Sequence, residues 1–380
     1  MRFDSFRFDE VTINHDRKRV PLSSMERSKR KGSYRYYGAQ GVIDYVDDYL
    51  FDGAYLLIAE DGENLKSNKQ NVAQIVSGQF WVNNHAHVLQ TNDNCNLHYL
   101  CYLINSMDLS GYITGSAQPK LSQANMNAIT LKLPDTKIQD KVVSVLGLFD
   151  KKIENNDRIN KNLQAQCSLL YDSLCIGAEK GVLGDLLSVI ETGSRPKGGA
   201  QTDGIPSVGA EKIESFGVYD FSNEKYISED FFNKLKRGKV MSGDVLLYKD
   251  GAYTGKSSMA LDGFPHQVCA VNEHVFILRT KDLFAQSFIY YTLQNDIIHQ
   301  TIYSLACGKA AQPGLNQQEL CSVEIPIPSR EEITAFEASI SPMMHQIALN
   351  AIQSRRLSEL RDTLLPKFMS GEIDISELRI

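Results

Sequence analysis

The chain has 380 residues, 42% hydrophobic and 23% charged, with 40 Lys and Arg against 46 Asp and Glu for a net charge of −6. This composition fits a globular protein of two to four domains and excludes a disordered or low-complexity chain, while the acidic balance argues against a protein that grips nucleic acid unaided. Seven cysteines without a Cys-x-x-Cys point to reduced thiols, and with no apolar run long enough for a signal peptide or a membrane span the chain reads as cytoplasmic.

The first 134 residues alternate short apolar runs with Gly and Tyr, as in Gly53-Ala54-Tyr55-Leu56-Leu57-Ile58, which predicts short strands and turns with a helix over 97–105. Arg27, Lys29, Arg30, Lys31 and Arg35 lie together with no acid among them, just ahead of Tyr36 and Tyr37. Basic residues interleaved with aromatics suit phosphates and base edges, although a solvated basic loop has the same composition. Asp44, Asp47, Asp48 and Asp52 alternate with Tyr45, Val46, Tyr49 and Phe51 as in an exposed strand or hairpin. Cys95-x-x-His98-x-x-Cys101 has ligand types for a metal ion but reads as the start of a helix whose thiols pack in a core, so no metal site is expected.

Pro134 introduces a long helix over about 136–174. Its residues at alternating steps of four and three are Val142, Leu146, Phe149, Ile153, Asn156, Asn160, Leu163, Cys167, Leu170 and Leu174, eight of ten apolar. This is a coiled-coil seam, and at ~1.5 Å per residue the helix is roughly 50 Å or longer.

Residues 177–328 return to short strands and turns, such as Gly243-Asp244-Val245-Leu246-Leu247-Tyr248, with a helix over 283–295. Arg195 and Lys197 sit in a Gly/Pro-rich loop, and Lys234, Lys236, Arg237 and Lys239 cluster. Gly251-Ala252-Tyr253-Thr254-Gly255-Lys256-Ser257 imitates a phosphate-binding loop but has three residues between its glycines where four are needed. A strand, a turn at Asp250-Gly251 and a displayed Lys256 are expected instead. After Pro328 a second long helix repeats the seam with Phe336, Ile340, Met343, Ile347, Asn350, Ser354, Leu357, Arg361, Leu364 and Phe368.

The chain is therefore written twice. Val82-Asn83-x-His85 returns as Val271-Asn272-x-His274 at a shift of 189, and Ala117-Gln118-Pro119 returns as Ala311-Gln312-Pro313 at a shift of 194. A net insertion of five residues in a loop reconciles the two registers. The expected fold is α+β: two globular α/β domains in pseudo-two-fold repeat (1–134 and 177–328), separated by two long helices (135–176, and 329–380 with the tail) that form an antiparallel intramolecular coiled coil. If the helices run antiparallel, Asn156, Asn160, Asn350 and Ser354 meet mid-seam, either as a belt that fixes register or as looser, wetter turns. Under the first reading, replacing Asn156 and Asn350 together by Leu raises thermal stability.

No catalytic constellation stands out. The chain holds no Pro-Pro, no Gly-x-Gly and no Glu-x-Lys, so the loops and motifs of a stand-alone DNA methyltransferase or a common restriction nuclease are missing, and no cofactor is expected. His85 and His274, at equivalent positions, suggest a shared structural role. A non-DNA scaffold with two protein-binding domains on a coiled coil explains the repeat and the acidity but not the paired basic loops.

These features together resemble the specificity (S) subunit of type I restriction-modification systems. Tyr37-Gly38-Ala39-Gln40-Gly41, Asp47 to Gly53 and Glu60-Asp61-Gly62 in the first domain carry the likeness, with Gly243-Asp244-Val245-Leu246 and Asp250-Gly251 in the second. So do Ile153-Glu154-Asn155-Asn156-Asp157-Arg158-Ile159-Asn160 and the ending Leu360-Arg361-Asp362-Thr363-Leu364-Leu365-Pro366-Lys367-Phe368-Met369-Ser370-Gly371-Glu372-Ile373. The resemblance implies that each globular domain is a target-recognition domain reading one half of a bipartite site in double-stranded DNA. It also implies that the helices set the unread gap, that two DNA adenine methyltransferase subunits dock, and that ATP-dependent restriction subunits add translocation and cleavage. On that reading the DNA contacts are expected from Lys29, Arg30, Arg35, Gln118 and Lys120 in the first domain. In the second they are expected from Arg195, Lys197, Lys236, Arg237, Tyr253, Lys256, Lys309 and Gln312.

Overall fold

A computed structural model describes residues 2–67, 71–115, 118–308 and 313–377. Lys309 and Gln312 lie outside them. The chain divides into two compact units: Met1–Asp150 with Ser358–Ile380, and Lys151–Leu357.

The first unit is built on a six-stranded sheet in the order Thr12–Asn14, Ala86–Thr91, Phe51–Ala59, Ala73–Val82, Lys31–Gly38, Gly41–Val46. Every pairing is antiparallel except that of Lys31–Gly38 with Ala73–Val82. Alternation along Phe51–Ala59 sends Leu56 and Ile58 to one face and Tyr55 and Leu57 to the other, so the sheet is buried on both sides. The first face packs on the helix Leu97–Ser106, whose N-cap Asn96 accepts from His98 and Tyr99, and on Val142, Leu146, Phe368 and Ile375 from distant parts of the chain. Cys95 is buried in this core while His98 faces solvent.

The second unit carries a four-stranded antiparallel sheet in the order Leu187–Thr192, Val275–Thr280, Val245–Tyr248, Ser257–Met259. A three-stranded sheet of Tyr226–Ile227, Ile205–Val208 and Ala270–Val271 accompanies it. The helix expected over 283–295 spans Gln286–Gln294. Outside these larger sheets the copies match in two further features. Asp4–Arg7 pairs with Thr130–Leu133 in the first unit, as Glu179–Val182 pairs with Glu324–Ile327 in the second. Ser122 caps the helix Gln123–Asn127 as Asn316 caps Gln317–Cys321.

The two long helices span Thr136–Cys175 and Arg330–Ser370. Asp135 accepts from Lys137 N–H at the start of the first, and Ser329 exchanges bonds with Glu332 at the start of the second, after their prolines. Within each unit the helices run antiparallel. In the first unit Asp150 accepts from Arg361 at 2.7 Å. In the second, Asn156 faces Asn350 and Ser354, Asn160 faces Ile347, and Cys167 lies beside Met343. The seam holds until Cys167 and then departs from the expected pattern: Leu170 is exposed and Tyr171 is buried. A straight helix advances past a 3.5-residue repeat, and Tyr171 gains contact with Phe288, Tyr291 and Phe336 in the second core.

The mid-seam polar residues come together in the order an antiparallel seam requires, the first of each helix facing the second of the other. Asn350 donates to Asn160 Oδ1 at 2.9 Å, whereas Asn156 donates to the Asn350 carbonyl, Gln353 Oε1 and Ser354 Oγ. The four expected belt residues thus meet, as Asn156 with Ser354 and Asn160 with Asn350. On this pairing the double replacement of Asn156 and Asn350 by Leu leaves the Asn160 oxygen without its partner, so it is expected to lower stability where the register reading alone predicts a rise.

Candidate nucleic-acid interface

In each unit an Asp-Gly turn, a His and a short segment converge, Gln118 to Leu121 in the first and Pro313 to Leu315 in the second. Asp61 and Asp250 precede glycines at φ +121° and +128°, a backbone region that favours glycine. Asn83 Oδ1 accepts the His85 N–H at 2.8 Å and Asn272 Oδ1 that of His274 at 2.9 Å. His85 Nδ1 lies 2.7 Å from Asp61 Oδ2, and His274 Nδ1 lies 3.2 Å from Asp250 Oδ2. Asp61 bridges to Lys120 and Asp250 to Gly314. Leu121 N–H donates to the Glu60 carbonyl and Leu315 N–H to that of Lys249, each at 2.8 Å. Two short peptide segments are thus held on two equivalent sheet ends, and the sequence shifts of 189 and 194 meet at these bonds.

Around this shared frame the side chains differ. In the first unit the basic run is matched by the acids that follow it in sequence. Arg27 and Lys31 both pair with Asp44, at 3.1 and 2.6 Å, and Arg30 pairs with Asp47 at 2.9 Å while lying over the Trp81 ring. Lys31 and the Tyr45 backbone N–H hold the Asp44 carboxyl at about 2. The expected bare patch on Lys29, Arg30 and Arg35 is therefore narrower. Arg35 donates to the Ser77 carbonyl and lies over Tyr37, and of these three Lys29 alone is exposed with no ion pair among the described residues. Gln118 is exposed, and Lys120 pairs with Glu60 at 3.2 Å.

In the second unit Lys197, Lys236 and Arg237 are exposed and make no ion pair among the described residues. Arg195 pairs with Glu273 at 2.9 Å. Gly251 to Lys256 form the turn between two strands, with Tyr253 at its tip 61% exposed. Four of its amides bond chain carbonyls: Gly251 N–H to Pro313, Thr254 N–H to Gly251, Gly255 N–H to Tyr248 and Lys256 N–H to Tyr253. Lys256 lies over the Tyr253 ring and pairs with Glu214 at 2.7 Å.

Sequence reasoning missed a buried polar cluster under the Gln-Pro segment of the first unit. His87, Asp16, Arg19 and Glu60 lie within it, and Arg19 bonds Glu60 at 2.8 Å and the Ala86 carbonyl at 2.8 Å. Burial alone would push the Asp16 and Glu60 carboxyls up. Bonds from His87 and Val88 to Asp16, and from Arg19 to Glu60, override that and leave both below their ordinary values. The only signal in the sequence was the second His of Asn83-x-His85-Ala86-His87, which has no counterpart in the other copy.

A family model described as the type I restriction modification DNA specificity domain matches residues 3–165 and again 177–361. A Haemophilus influenzae type I restriction enzyme specificity subunit is 33% identical over 138 residues, 36% of this chain and about a third of that one, 35%. The specificity subunit of the type I restriction enzyme MjaIX of Methanocaldococcus jannaschii is 25% identical over 312 residues, covering 74% of this chain and 70% of that one. Among solved structures, the S subunit of a type I restriction-modification system from M. genitalium superposes with a TM-score of 0.64 at 12% identity, over 97% of this chain and 96% of that one. At that identity the likeness speaks for the fold.

Proposed function

The chain belongs to the type I restriction modification DNA specificity family, and we propose that it is the DNA-reading subunit of such a system, itself without catalytic chemistry. The segments 1–134 and 177–328 each read one half of a bipartite duplex site. The helices between them set the unread gap and offer docking surface to two adenine methyltransferase subunits, with ATP-dependent restriction subunits joining the complex. The observation that supports this best is the duplication with divergence: one backbone arrangement recurs at Asp61/Lys120 and Asp250/Gly314, while the side chains around it differ. Two halves that read two different sequences require that combination, and a scaffold for two copies of one partner does not.

The contacts fall into two kinds. Lys29, Lys197, Lys236 and Arg237 are exposed and unpaired among the described residues and suit phosphates. Arg30, Arg35, Lys120, Arg195 and Lys256 are held by neighbours, which orients them for base edges, beside Gln118 and Tyr253; Lys309 and Gln312 join the second set by sequence alone. The double change Lys236→Ala with Arg237→Ala should weaken binding evenly across sequences. It should also lower the slope of log affinity against log salt by about 2, since each phosphate contact contributes about 0.9. An unchanged slope removes both residues from the interface.

The deciding experiment co-expresses the chain with its adenine methyltransferase partner in a host free of adenine methylation and maps methylated adenines by long-read sequencing. A bipartite motif with a fixed gap is expected. A soluble complex that leaves the methylome blank overturns the reading in favour of a protein-binding scaffold.

A further inference from the structure

Two members of the polar cluster beneath Gln118-Pro119-Lys120 reach the segment: Glu60 meets the Lys120 ammonium, and His87 meets the backbone. His87 is 1% exposed and lies in the strand Ala86–Thr91. Its Nε2 is 2.9 Å from the Leu121 carbonyl. A carbonyl has no hydrogen to give, so Nε2 is the donor. Its Nδ1 is 2.6 Å from Asp16 Oδ2, and Asp16 is anchored in turn by Val88 N–H at 2.8 Å and Asn14 Nδ2 at 3.1 Å. The ring is therefore fixed at both ends. Leu121 is the hinge of the segment: its N–H bonds the Glu60 carbonyl, and Lys120 exchanges both backbone bonds with Thr114 at 2.8 and 2.9 Å. Glu60 also pairs with the Lys120 ammonium and with Arg19.

The second unit keeps the backbone bond from Leu315 to Lys249, but among the described residues it has none of the side-chain clamp. At the shift of 189, Phe276 stands where His87 stands and Lys249 where Glu60 stands; at 194, Gly314 stands where Lys120 stands. Phenylalanine has no hydrogen-bond donor. Its ring instead lies 5.5 Å from the Lys249 ammonium.

We propose that His87 is a positioning residue: through its Nε2–H bond to the Leu121 carbonyl it holds Gln118 and Lys120 against the DNA, and so sharpens the reading of one half of the bipartite site while the other half is read without such a clamp. This rests on the DNA-reading function proposed above.

The test uses the geometry of side-chain amides, since Gln can present a donor near the position of His Nε2 whereas Asn presents one near Nδ1. His87→Gln, His87→Asn and His87→Phe are each made in the full chain, complexed with its methyltransferase subunits. Hydrogen exchange is then read at the Lys120 and Leu121 amides, with Leu315 as internal control. Exchange should rise about fivefold to tenfold in the Asn and Phe variants, the effect of losing one hydrogen bond, and stay near the parent in the Gln variant. In the methylome, the Asn and Phe variants should accept single-base changes in one half-site about fivefold more often, with the other half unaffected. Equal exchange in all three variants, or a rise matched at Leu315, overturns the clamp. Normal discrimination in both halves despite loosened amides, or loss in both, overturns its role in reading. A parent complex that marks no bipartite motif overturns the DNA-reading function itself, while hydrogen exchange still decides separately whether the clamp exists.

Discussion

Replacing Arg279 by methionine is expected to destabilise the second unit by about 3–5 kcal/mol, the effect of leaving a buried charge without its partner. Arg279 lies on the strand Val275–Thr280 and grips both oxygens of Asp244, through Nε at 2.5 Å and Nη2 at 2.7 Å; it also reaches Glu191 at 3.0 Å and the Lys239 carbonyl at 3.1 Å. Asp244 is fully buried and accepts from Met241 N–H besides. Burial pushes its carboxyl up, and the guanidinium only partly opposes that. Without Arg279 the upward push is opposed only by the Met241 N–H bond, so the pH dependence has a definite sign. An acid whose folded value lies above its unfolded one destabilises the fold at high pH and ceases to do so once both states are protonated. The deficit should therefore be largest at pH 7 and shrink as pH falls toward about 4. Hydrogen exchange of amides in the second core, read at both pH values, measures this. A deficit below about 1 kcal/mol at pH 7 would show that the carboxylate finds water or another partner. Adding Asp244→Leu to the variant should recover much of the loss, since the buried carboxylate is then gone, the remainder being the lost bonds to Glu191, the Lys239 carbonyl and Met241 N–H.

The asparagine belt gives a second large effect, with a pattern that only the observed pairing produces. Asn350→Leu alone strands Asn160 Oδ1, and Asn160→Leu alone strands the Asn350 amide, so each should cost about 1–3 kcal/mol. Replacing both together should recover most of that and can exceed the parent, as an apolar seam does. Asn350→Leu with Asn156→Leu should recover nothing, because Asn160 remains stranded. Urea titration of the parent, the three single variants and the two doubles, treated as two double-mutant cycles, separates the cases. Strict additivity for Asn160 with Asn350 would mean that water already serves both groups. Asn156 Oδ1 is buried without a hydrogen-bond partner among the described residues, so Asn156→Leu alone should be the mildest of the single changes.

The architecture was readable in the sequence because its signals are periodic. Eight apolar seam positions and a proline define the first helix, and two shifts of 189 and 194 reveal the duplication before any strand is assigned. The seam failed at Leu170, where the fold favoured burying Tyr171 against aromatic rings 100 or more positions away. No local period carries such a contact. The candidate interface was readable only in part. Composition marked Arg30 and Lys31 as basic, but whether they face solvent depends on Asp44 and Asp47 across a hairpin. Asp16 and His87 are 71 residues apart, and each alone is an unremarkable polar residue. Pairings of this kind are set by strand order, which the sequence does not state.

The discontinuity of the first unit has a consequence for the order in which the chain is made. Residues 151–357 form one uninterrupted unit and can complete their core as soon as they leave the ribosome. The unit begun first finishes last, since Phe368 and Ile375 are buried in its core and Arg361 holds Asp150. At about 5–20 residues per second, the 225 residues between Asp150 and Ile375 take about 10–45 seconds to synthesise. For that interval the apolar side chains of Val142 and Leu146 wait without their closing partners, exposed to aggregation and to chaperones. A premature stop near residue 360 would therefore harm the amino-terminal half of the molecule, while leaving intact the half that lies nearest to it in the gene.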